Sequence, residues 1–290
     1  MTFYLSQLAM LAVSFIWGCT FIIVQEALND ALPFSFATLR FGSASIILLL
    51  IVLFNVKSKI RFDEIYGGAI CGVALFAGYS FQNFGLLYTT ASKSAFITGT
   101  SVVMVPYLLY FFLKEKIKFQ IWIAVLLVVI GLYFLLNPRV EQITIGDILT
   151  FGCAFSFAVH ILFQDHYIKK ECNIINLFCT QAIVVTTLSL FNSFIFESEA
   201  IIWSRRLFYA ISITSIFGTV IAFYLMLWSQ KILDANQTAI ICSFEPVFAA
   251  LFAMVYAQEY LSFTSWIGGV IIIIGLIIMN LKPIKYSLSK

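Results

Sequence analysis

The chain has 290 residues, of which 62% are hydrophobic and only 11% charged, whereas about a quarter are charged in soluble domains. The mean hydropathy of +1.01 and repeated apolar runs of about 20 residues exclude a soluble globular protein. The net charge of +3 gives no sign of a nucleic-acid partner. The six cysteines are scattered without a CxxC pair, so no disulfide, metal site or cofactor is expected.

Apolar runs predict ten transmembrane helices separated by short loops. They cover residues 5–25, 34–54, 66–88, 93–112, 120–136, 146–164, 174–195, 207–228, 236–256 and 263–281. The first run is not a cleavable signal peptide, because it lacks a basic leading segment and a small-residue cleavage site. The predicted fold class is therefore an all-α membrane protein, with the lipid bilayer around nearly the whole chain.

Residues recur at a constant offset of 144 positions, which is about half of the chain. The recurring pairs are Ala91 and Ala235, Ser94 and Thr238, Ala95 and Ala239, Glu115 and Glu259, Trp122 and Trp266, and Gly131 and Gly275. This register indicates a duplicated unit. The two predicted domains are five-helix repeats at residues 1–137 and 146–282.

Loop cations predict the orientation in the membrane. One side collects Lys57, Lys59, Arg61, Lys114, Lys116, Lys118, Lys169, Lys170, Lys231, Lys282, Lys285 and Lys290, and the other only Lys93, Arg139, Arg205 and Arg206. The positive-inside rule places both termini in the cytoplasm. Because each half has an odd number of spans, the second half is inverted relative to the first. Secondary transporters commonly use such repeats, with the substrate site near the midplane between them.

Several motifs have the pattern of a known family. They are Phe15–Phe21, Pro33 with Arg40-Phe41, Tyr88–Ala95 with Val105-Pro106 and Glu115, and Ala235–Glu259 with Trp266, Gly268 and Gly275. With them the chain resembles the drug/metabolite transporter superfamily, of the EamA-like permease type. The resemblance implies a ten-helix transporter of the cytoplasmic (inner) membrane, with two inverted halves around a central cavity. Many such proteins export amino acids or other small metabolites. The Glu-Pro pair of the ninth span has no Glu in the fourth, so the pocket is not expected to be symmetric.

Glu245, followed by Pro246, lies about 15 Å along the ninth span from Ala235, close to the membrane midplane. A carboxyl group there is costly to bury and usually functional. It either carries a proton, or meets a cationic group of the substrate, or holds neighbouring helices through hydrogen bonds. Pro246 removes a backbone donor and is expected to kink the helix. Pro246 and Pro106 are the predicted hinges.

Further candidates for substrate binding or coupling are polar and aromatic residues within spans. Arg40 either faces the cavity or anchors a helix end. His160 and Gln164 share a face of the sixth span, and Gln82 and Asn83 lie in the third; either pair lines the cavity or joins helices. Among the aromatic residues, Trp17 and Tyr79 are the candidates. The small residues Gly68, Gly72, Gly268, Gly269 and Gly275 are expected at close helix contacts.

The sequence favours a secondary transporter of small metabolites that works by alternating access around a site lined by spans 1, 3, 4, 6, 8 and 9. The resemblance implies that it exports compounds such as amino acids or drug-like molecules across the cytoplasmic membrane. Its partners are a small-molecule substrate and the bilayer, with protons as a candidate coupling ion, and the chain is a monomer or a homodimer. The alternatives are a carrier of lipids or lipid-linked sugars, a scramblase or a channel on the same scaffold. An enzyme is not expected. His160 and Asp165 form the H-x-x-x-x-D pattern of some acyltransferases, but residues five apart point about 140° away from each other on a helix.

Overall fold

The computed structural model describes residues 2–54, 60–112, 114–136, 143–256 and 262–280, and the regular secondary structure of these ranges is entirely helical. The ten helices are α1 (Thr2–Ala27), α2 (Pro33–Phe54), α3 (Phe62–Leu86), α4 (Ala91–Phe112), α5 (Phe119–Leu136), α6 (Ile145–Lys169), α7 (Ile174–Phe196), α8 (Arg205–Gln230), α9 (Ala235–Tyr256) and α10 (Phe263–Asn280). Several residues used in the sequence argument lie outside the described ranges, namely Lys57, Lys59, Arg139, Glu259, Lys282, Lys285 and Lys290.

Eight of these helices are long and apolar enough to cross a bilayer, and α5 and α10 are shorter apolar helices. Each of the two has 18 residues, which corresponds to about 27 Å of helix. The chain is therefore a multi-pass membrane protein, and ten spans are compatible with its helices. The main difference from the predicted spans is in α6, which continues past residue 164 to Lys169.

Three helices are interrupted near their middle. Helix α4 consists of Ala91–Gly99 and Ser101–Phe112, joined at Thr100, and α9 consists of Ala235–Cys242 and Glu245–Tyr256. In α8, the segment Ile216–Ile221 is a π-helical turn. The break in α9 directly precedes Pro246, whose ring would clash with the carbonyl of Cys242 in a continuous helix. In α4 the break lies at Thr100, whose hydroxyl donates to the carbonyl of Ile97 (2.6 Å); the predicted hinge Pro106 lies inside the second segment.

Glycines allow close approach where the sequence predicts it, with one exception. A Cβ on Gly131 of α5 would lie 2.7 Å from the carbonyl oxygen of Gly268 in α10. A Cβ on Gly275 would lie 3.1 Å from the carbonyl oxygen of Ala124. Gly68 and Gly72 of α3 face α7 at similarly short range. The expectation is wrong for Gly269, because a Cβ there would meet nothing within 4 Å.

Carboxylates tie the helix ends of the bundle together. Glu197, directly after α7, accepts hydrogen bonds from the first backbone N–H groups of α2, at Phe34 (2.6 Å) and Ser35 (2.7 Å). Glu64, at the start of α3, accepts from the backbone N–H of Asn173 before α7 (2.9 Å). Helix N-termini have unpaired N–H groups, and an acceptor there satisfies them.

The loop between α1 and α2 is held by an ion pair. Arg206 donates to both carboxylate oxygens of Asp30, at 2.8 and 2.7 Å, and the Ser204 hydroxyl donates to one of them at 2.6 Å. These hydrogen bonds hold the pKa of Asp30 below its usual value. The pair joins the end of α1 to the start of α8.

Candidate functional site: a central cavity

A cavity of about 50 Å³ lies between the helices at the breaks in α4 and α9. It is lined by the six helices α1, α3, α4, α6, α8 and α9, and α2 adds Arg40. Six of the predicted binding residues line it: Trp17, Arg40, Tyr79, Gln82, His160 and Glu245. The two halves of the chain both supply ionisable groups to its wall.

Arg40 is buried, with 2% of its surface exposed, and it is held by uncharged acceptors. Its Nε donates to the hydroxyl of Thr219 (2.9 Å), and its Nη2 donates to the hydroxyl of Tyr79 (3.0 Å) and the carbonyl of Gly218 (3.1 Å). The guanidinium also stacks over the Tyr79 ring, 4.5 Å from its centroid. Among the described residues, no carboxylate forms an ion pair with it. Arg40 therefore presents a fixed positive charge to the cavity.

The π-helical turn of α8 supplies the acceptor that fixes this side of the site. The carbonyl of Gly218 accepts from Arg40 and also from the indole nitrogen of Trp17 (2.9 Å). A π turn changes the carbonyl directions within a helix and is frequent at functional sites. In this turn, the Thr219 hydroxyl donates to the carbonyl of Thr214 five residues earlier (2.8 Å). One irregular turn thus positions side chains from α1 and α2.

Glu245 is the first residue of the second segment of α9 and lines the cavity. It is 8% exposed. Within the described part of the chain, its carboxyl group is in none of the ion pairs and none of the side-chain hydrogen bonds. Its backbone lies close to α1, since a Cβ on Gly18 would lie 2.6 Å from the Glu245 carbonyl oxygen. With the described residues, this carboxyl group forms no helix-joining hydrogen bond, which was one of the roles expected for it.

His160 of α6 lies on the cavity wall and is paired with α7. Its Nε2 lies 3.0 Å from the amide oxygen of Gln181, and its ring packs edge-on against Phe223 at 5.9 Å between centroids. Because Gln181 is completely buried, this hydrogen bond fixes the direction of the imidazole. Asp165, the other residue of the H-x-x-x-x-D pattern, instead forms an ion pair with Lys169 (2.6 Å). The two residues of the H-x-x-x-x-D pattern therefore have separate partners and do not converge.

Gln164 and Asn83 do not line the cavity, unlike their neighbours His160 and Gln82. The Gln164 amide donates to the side-chain oxygen of Gln230 in α8 (2.6 Å). The Asn83 amide donates to the carbonyl of Pro33 (3.3 Å). Both are helix-joining contacts, which was the alternative role for these residues.

Aromatic rings form much of the remaining wall. Trp17 lies 5.1 Å from Phe223 and Tyr79 lies 5.3 Å from Phe157, centroid to centroid. Trp17 and Tyr79 were expected, but Phe157 and Phe223 were missed. Phe157 is one helical turn before His160 and shares its face, so its position could have been inferred from that residue. No pattern in the sequence distinguishes Phe223 from its exposed neighbour Tyr224.

Ser101 was also missed, although the 144-residue offset locates it. It corresponds to Glu245, since 101 and 245 differ by 144. Each is the first residue of the second segment of its helix, and both line the cavity. The polar side chains Thr20 and Thr98 complete this part of the wall. The asymmetry expected from the missing Glu is thus a hydroxyl group at Ser101, at the position where the other half has the carboxyl group of Glu245.

The cavity is too small for a metabolite in this conformation. A volume of about 50 Å³ holds only a few water molecules, whereas sites for organic ligands usually measure about 300–1,000 Å³. Within the described ranges, no cluster of three or more His, Cys, Asp or Glu residues could hold a metal ion. In this conformation the cavity therefore has no room for an organic ligand.

Interrupted membrane helices around a cavity lined by buried ionisable side chains are characteristic of membrane transport proteins. Comparison of the sequence with known families agrees with this class. Residues 5–137 and 144–281 each match the EamA-like transporter family, and the chain belongs to this family.

Similar proteins have names consistent with transport. An uncharacterized transporter of Archaeoglobus fulgidus is 32% identical over 277 residues, covering 96% of this chain and 86% of that protein. An S-adenosylmethionine uptake transporter of Rickettsia bellii is 26% identical over 279 residues, covering 92% and 93%. One solved structure, described only as the crystal structure of a protein, covers 95% of this chain and 96% of its own, with a TM-score of 0.77 and 15% identity. That structure supports the fold alone.

Proposed function

We propose that the protein is a secondary transporter that carries small organic metabolites across the cytoplasmic membrane by alternating access around the central cavity. The observation that carries this proposal is the position of Glu245 and Arg40. Both are buried ionisable side chains without an ionic partner among the described residues, and they line one cavity from opposite halves of the chain. Such groups are costly inside a membrane and are typically retained for a substrate or ion pathway.

The direction of transport follows the gradients that drive the cycle. Export of amino acids or drug-like compounds is what the superfamily resemblance implies, while the Rickettsia bellii relative is named for uptake of S-adenosylmethionine. An alternating-access carrier supports either direction, because its site faces each side in turn. S-adenosylmethionine and the amino acids are therefore the first compounds to test, in both orientations.

A bulky side chain in the cavity is expected to block this transport. Thr20 of α1 is 6% exposed and lines the cavity, whereas Leu8 of the same helix is 62% exposed. In proteoliposomes, Thr20→Trp should reduce saturable flux of the transported compound at least tenfold, and Leu8→Trp should leave it near the wild-type rate. Both variants are first checked for the amount of inserted, folded protein.

The same assay separates the carrier from the alternatives. Flux that does not saturate and is accompanied by ionic conductance would indicate a channel. Movement of labelled lipid between the leaflets would indicate a scramblase or lipid carrier. Equal flux in Thr20→Trp and Leu8→Trp would remove the central cavity from the transport pathway.

We further propose that the two domains, residues 1–137 and 146–282, are inverted repeats. The packing between the two halves is reciprocal and supports this proposal. Helix α1 packs on α8 and α9, and its counterpart α6 packs on the corresponding helices α3 and α4. The counterparts α2 and α7 pack on each other, as do α5 and α10. Within the α4–α9 pair, the first segment of each helix packs on the second segment of the other. The two helices therefore run in opposite directions, as a pair of inverted counterparts should.

Matching details at the 144-residue offset support the same proposal. Thr90 caps α4 by accepting from the backbone N–H of Lys93, and Asp234 caps α9 by accepting from that of Gln237. The close glycine contacts between α5 and α10 are also related by this offset. Gly131 of α5 approaches Gly268 of α10, and Gly275 of α10 approaches Ala124 of α5. Gly275 corresponds to Gly131, and Gly268 corresponds to Ala124. In each case the two numbers differ by 144.

Both termini are proposed to be cytoplasmic, and cysteine labelling tests this orientation. Asn29 and Lys116 are exposed and lie on opposite predicted sides; Asn29 is preferred over Asp30 because Asp30 is paired with Arg206. Asn29→Cys should react with an impermeant thiol reagent in intact cells, and Lys116→Cys should react only after permeabilisation. The unsubstituted chain gives the background, since five native cysteines are buried and Cys19 is partly exposed. The opposite labelling pattern would reject the proposed topology.

Pro246 is proposed as a hinge of the transport cycle, with Pro106 as the corresponding candidate in α4. Pro246→Ala restores a backbone N–H that can bond to the Cys242 carbonyl, which favours a continuous α9 and shifts the conformational equilibrium. We expect folded protein with a transport rate changed severalfold. Pro106→Ala is the matched comparison and should change the rate less, because Pro106 is not at the break of its helix. Unchanged kinetics of Pro246→Ala at all substrate concentrations would exclude the hinge.

A further inference from the structure

A second concave surface, the α3–α6 groove, lies on the outside of the helix bundle where α3 packs on α6. It measures about 490 Å³, and none of the described residues lines both this groove and the central cavity. Its α3 side runs from Tyr66 to Ala77 and its α6 side from Phe155 to Phe163. The lining is apolar, and the hydroxyl of Ser156 within it donates to the carbonyl of Gly152 (2.8 Å). The groove therefore suits a hydrocarbon chain.

The length of the groove matches one leaflet of a bilayer. From Tyr66 to Ala77 it extends along about 16 Å of helix, while the hydrocarbon of one leaflet is about 15 Å thick, half of the whole core. Beyond Ala77 the groove is closed by Phe81 of α3, whose ring would lie 3.2 Å from a Cβ on Gly152 of α6. A partner helix that spans the membrane needs a contact across both leaflets. A single acyl chain needs only one.

Two cationic side chains, one from each helix, lie at the open end of the groove. Lys170 directly follows α6, and its Nζ lies 5.2 Å from the centroid of the Tyr167 ring. That ring packs against α3 at Gly67, where a Cβ would overlap it. Arg61 directly precedes α3, and its Nη1 donates to the carbonyl of Glu171, the residue after Lys170 (3.4 Å). Both cations therefore meet where α3 and α6 leave the membrane.

These cations are available to an anionic group. Lys170 is exposed and forms none of the ion pairs among the described residues. Arg61 lies 3.3 Å from Asp63, but both side chains are half-exposed, and exposed pairs of this kind contribute little. Tyr66, which is 54% exposed, lies between the cations and the apolar part of the groove. Tyrosine is enriched at the level of the lipid headgroups, and basic residues just outside a membrane helix attract lipid phosphates.

We infer that the α3–α6 groove binds a phospholipid, with its phosphate at Lys170 and Arg61 and one acyl chain along the groove. The lipid lies in the leaflet that the proposed topology makes the cytoplasmic one. Because α3 belongs to the first half of the chain and α6 to the second, the bound lipid contacts both halves. It is a ligand of the outer surface of the protein and is not the transported molecule.

Filling the groove with a side chain tests the position of the acyl chain. The purified full chain is stripped of lipid in detergent and titrated with dioleoyl phosphatidylglycerol, and native mass spectrometry gives the dissociation constant of the first bound lipid. Val73→Trp places a ring in the groove and should weaken this binding at least tenfold. Val270→Trp of α10 is the matched control, because Val73 and Val270 are 54% and 55% exposed and only Val73 lines the groove. Val270→Trp should bind like the wild type.

Removal of a charge tests the position of the phosphate. Lys170→Gln should weaken binding of phosphatidylglycerol about fivefold. Lys231→Gln is the matched control and should have no effect, because Lys231 directly follows α8 as Lys170 follows α6, on the same predicted side of the membrane. Dioleoylglycerol, which has the same chains without the phosphate, should bind at least tenfold more weakly than phosphatidylglycerol. Thermal unfolding of each variant confirms that it is folded.

Three results would overturn the inference. Equal affinity of Val73→Trp and Val270→Trp for phosphatidylglycerol would exclude the groove as the lipid site. Equal binding of dioleoylglycerol and phosphatidylglycerol, or an unchanged affinity in Lys170→Gln, would exclude recognition of the phosphate. A wild-type dimer that Val73→Trp dissociates would assign the groove to a second copy of the chain.

Discussion

Replacing Glu245 with Gln is expected to abolish uphill transport driven by a pH gradient, even at saturating substrate. The variant keeps the shape of the side chain and removes its titratable group. If the Glu245 carboxyl group alternates between a proton and the substrate, removing its titratable group uncouples the transport cycle from the pH gradient. Exchange of labelled for unlabelled substrate needs no net proton movement. In Glu245→Gln, the rate of this exchange should fall at low substrate concentration, where substrate affinity limits the rate. It should recover at high substrate concentration.

The measurement uses proteoliposomes with an imposed pH gradient, with and without a membrane potential. Glu26→Gln is the matched control, because Glu26 is a partly exposed carboxyl group of α1 outside the cavity. The cavity wall also contains His160, whose Nε2 is paired with the amide oxygen of Gln181. Glu245→Gln protein that still accumulates substrate against its gradient at the wild-type rate would contradict the coupling role. That result would give the Glu245 carboxyl group a structural role at the break in α9 and no role in coupling.

Gly268→Ala is expected to be among the most damaging single-methyl changes in the protein, while Gly269→Ala next to it should be harmless. A Cβ on Gly268 would overlap the backbone nitrogen of Leu135 and the carbonyl oxygen of Gly131, and backbone atoms cannot move aside as a flexible side chain would. Overpacking of this kind typically costs about 1–3 kcal/mol or more. A Cβ on Gly269 meets nothing within 4 Å, and Ala is favoured over Gly in a helix by up to about 1 kcal/mol.

Thermal unfolding of the detergent-purified variants, together with the yield of monodisperse protein, measures this difference. Gly268→Ala should unfold at a lower temperature than the wild type, and Gly269→Ala at the same or a higher temperature. Because both variants add one methyl group at neighbouring positions, differences in expression or in composition cannot explain the contrast. Equal melting temperatures would mean that α5 and α10 do not approach as closely as described.

The helices and several cavity residues were predictable because membrane insertion leaves a strong signal in composition. Runs of apolar residues locate all ten helices, and a carboxyl group within such a run is rare enough to single out Glu245. The same reasoning selected Arg40 and His160. Each of these residues stands out because an ionisable side chain is costly to bury in hydrocarbon and is therefore rare in an apolar run.

Other features depend on helix rotation and backbone irregularity, which composition does not encode. Gln164 and His160 lie on one face of α6, yet Gln164 bonds to Gln230 and only His160 reaches the cavity. Likewise, the interruption of α4 lies at Thr100 and not at Pro106. The π turn of α8 has no marker in the sequence other than Gly218 within it.

That π turn gives the protein a way to change its ligand preference without exchanging any side chain of the pocket. A π turn accommodates one extra residue relative to an α-helix. Deleting one residue from Ile216–Ile221 would therefore restore a continuous α-helix and leave the following segment on nearly the same face. Phe223 and Met226 would then still face the cavity, but Gly218 would no longer direct its carbonyl to both Trp17 and Arg40. Relatives whose eighth helix is one residue shorter at this place should therefore have a differently shaped wall, even where their lining residues are the same.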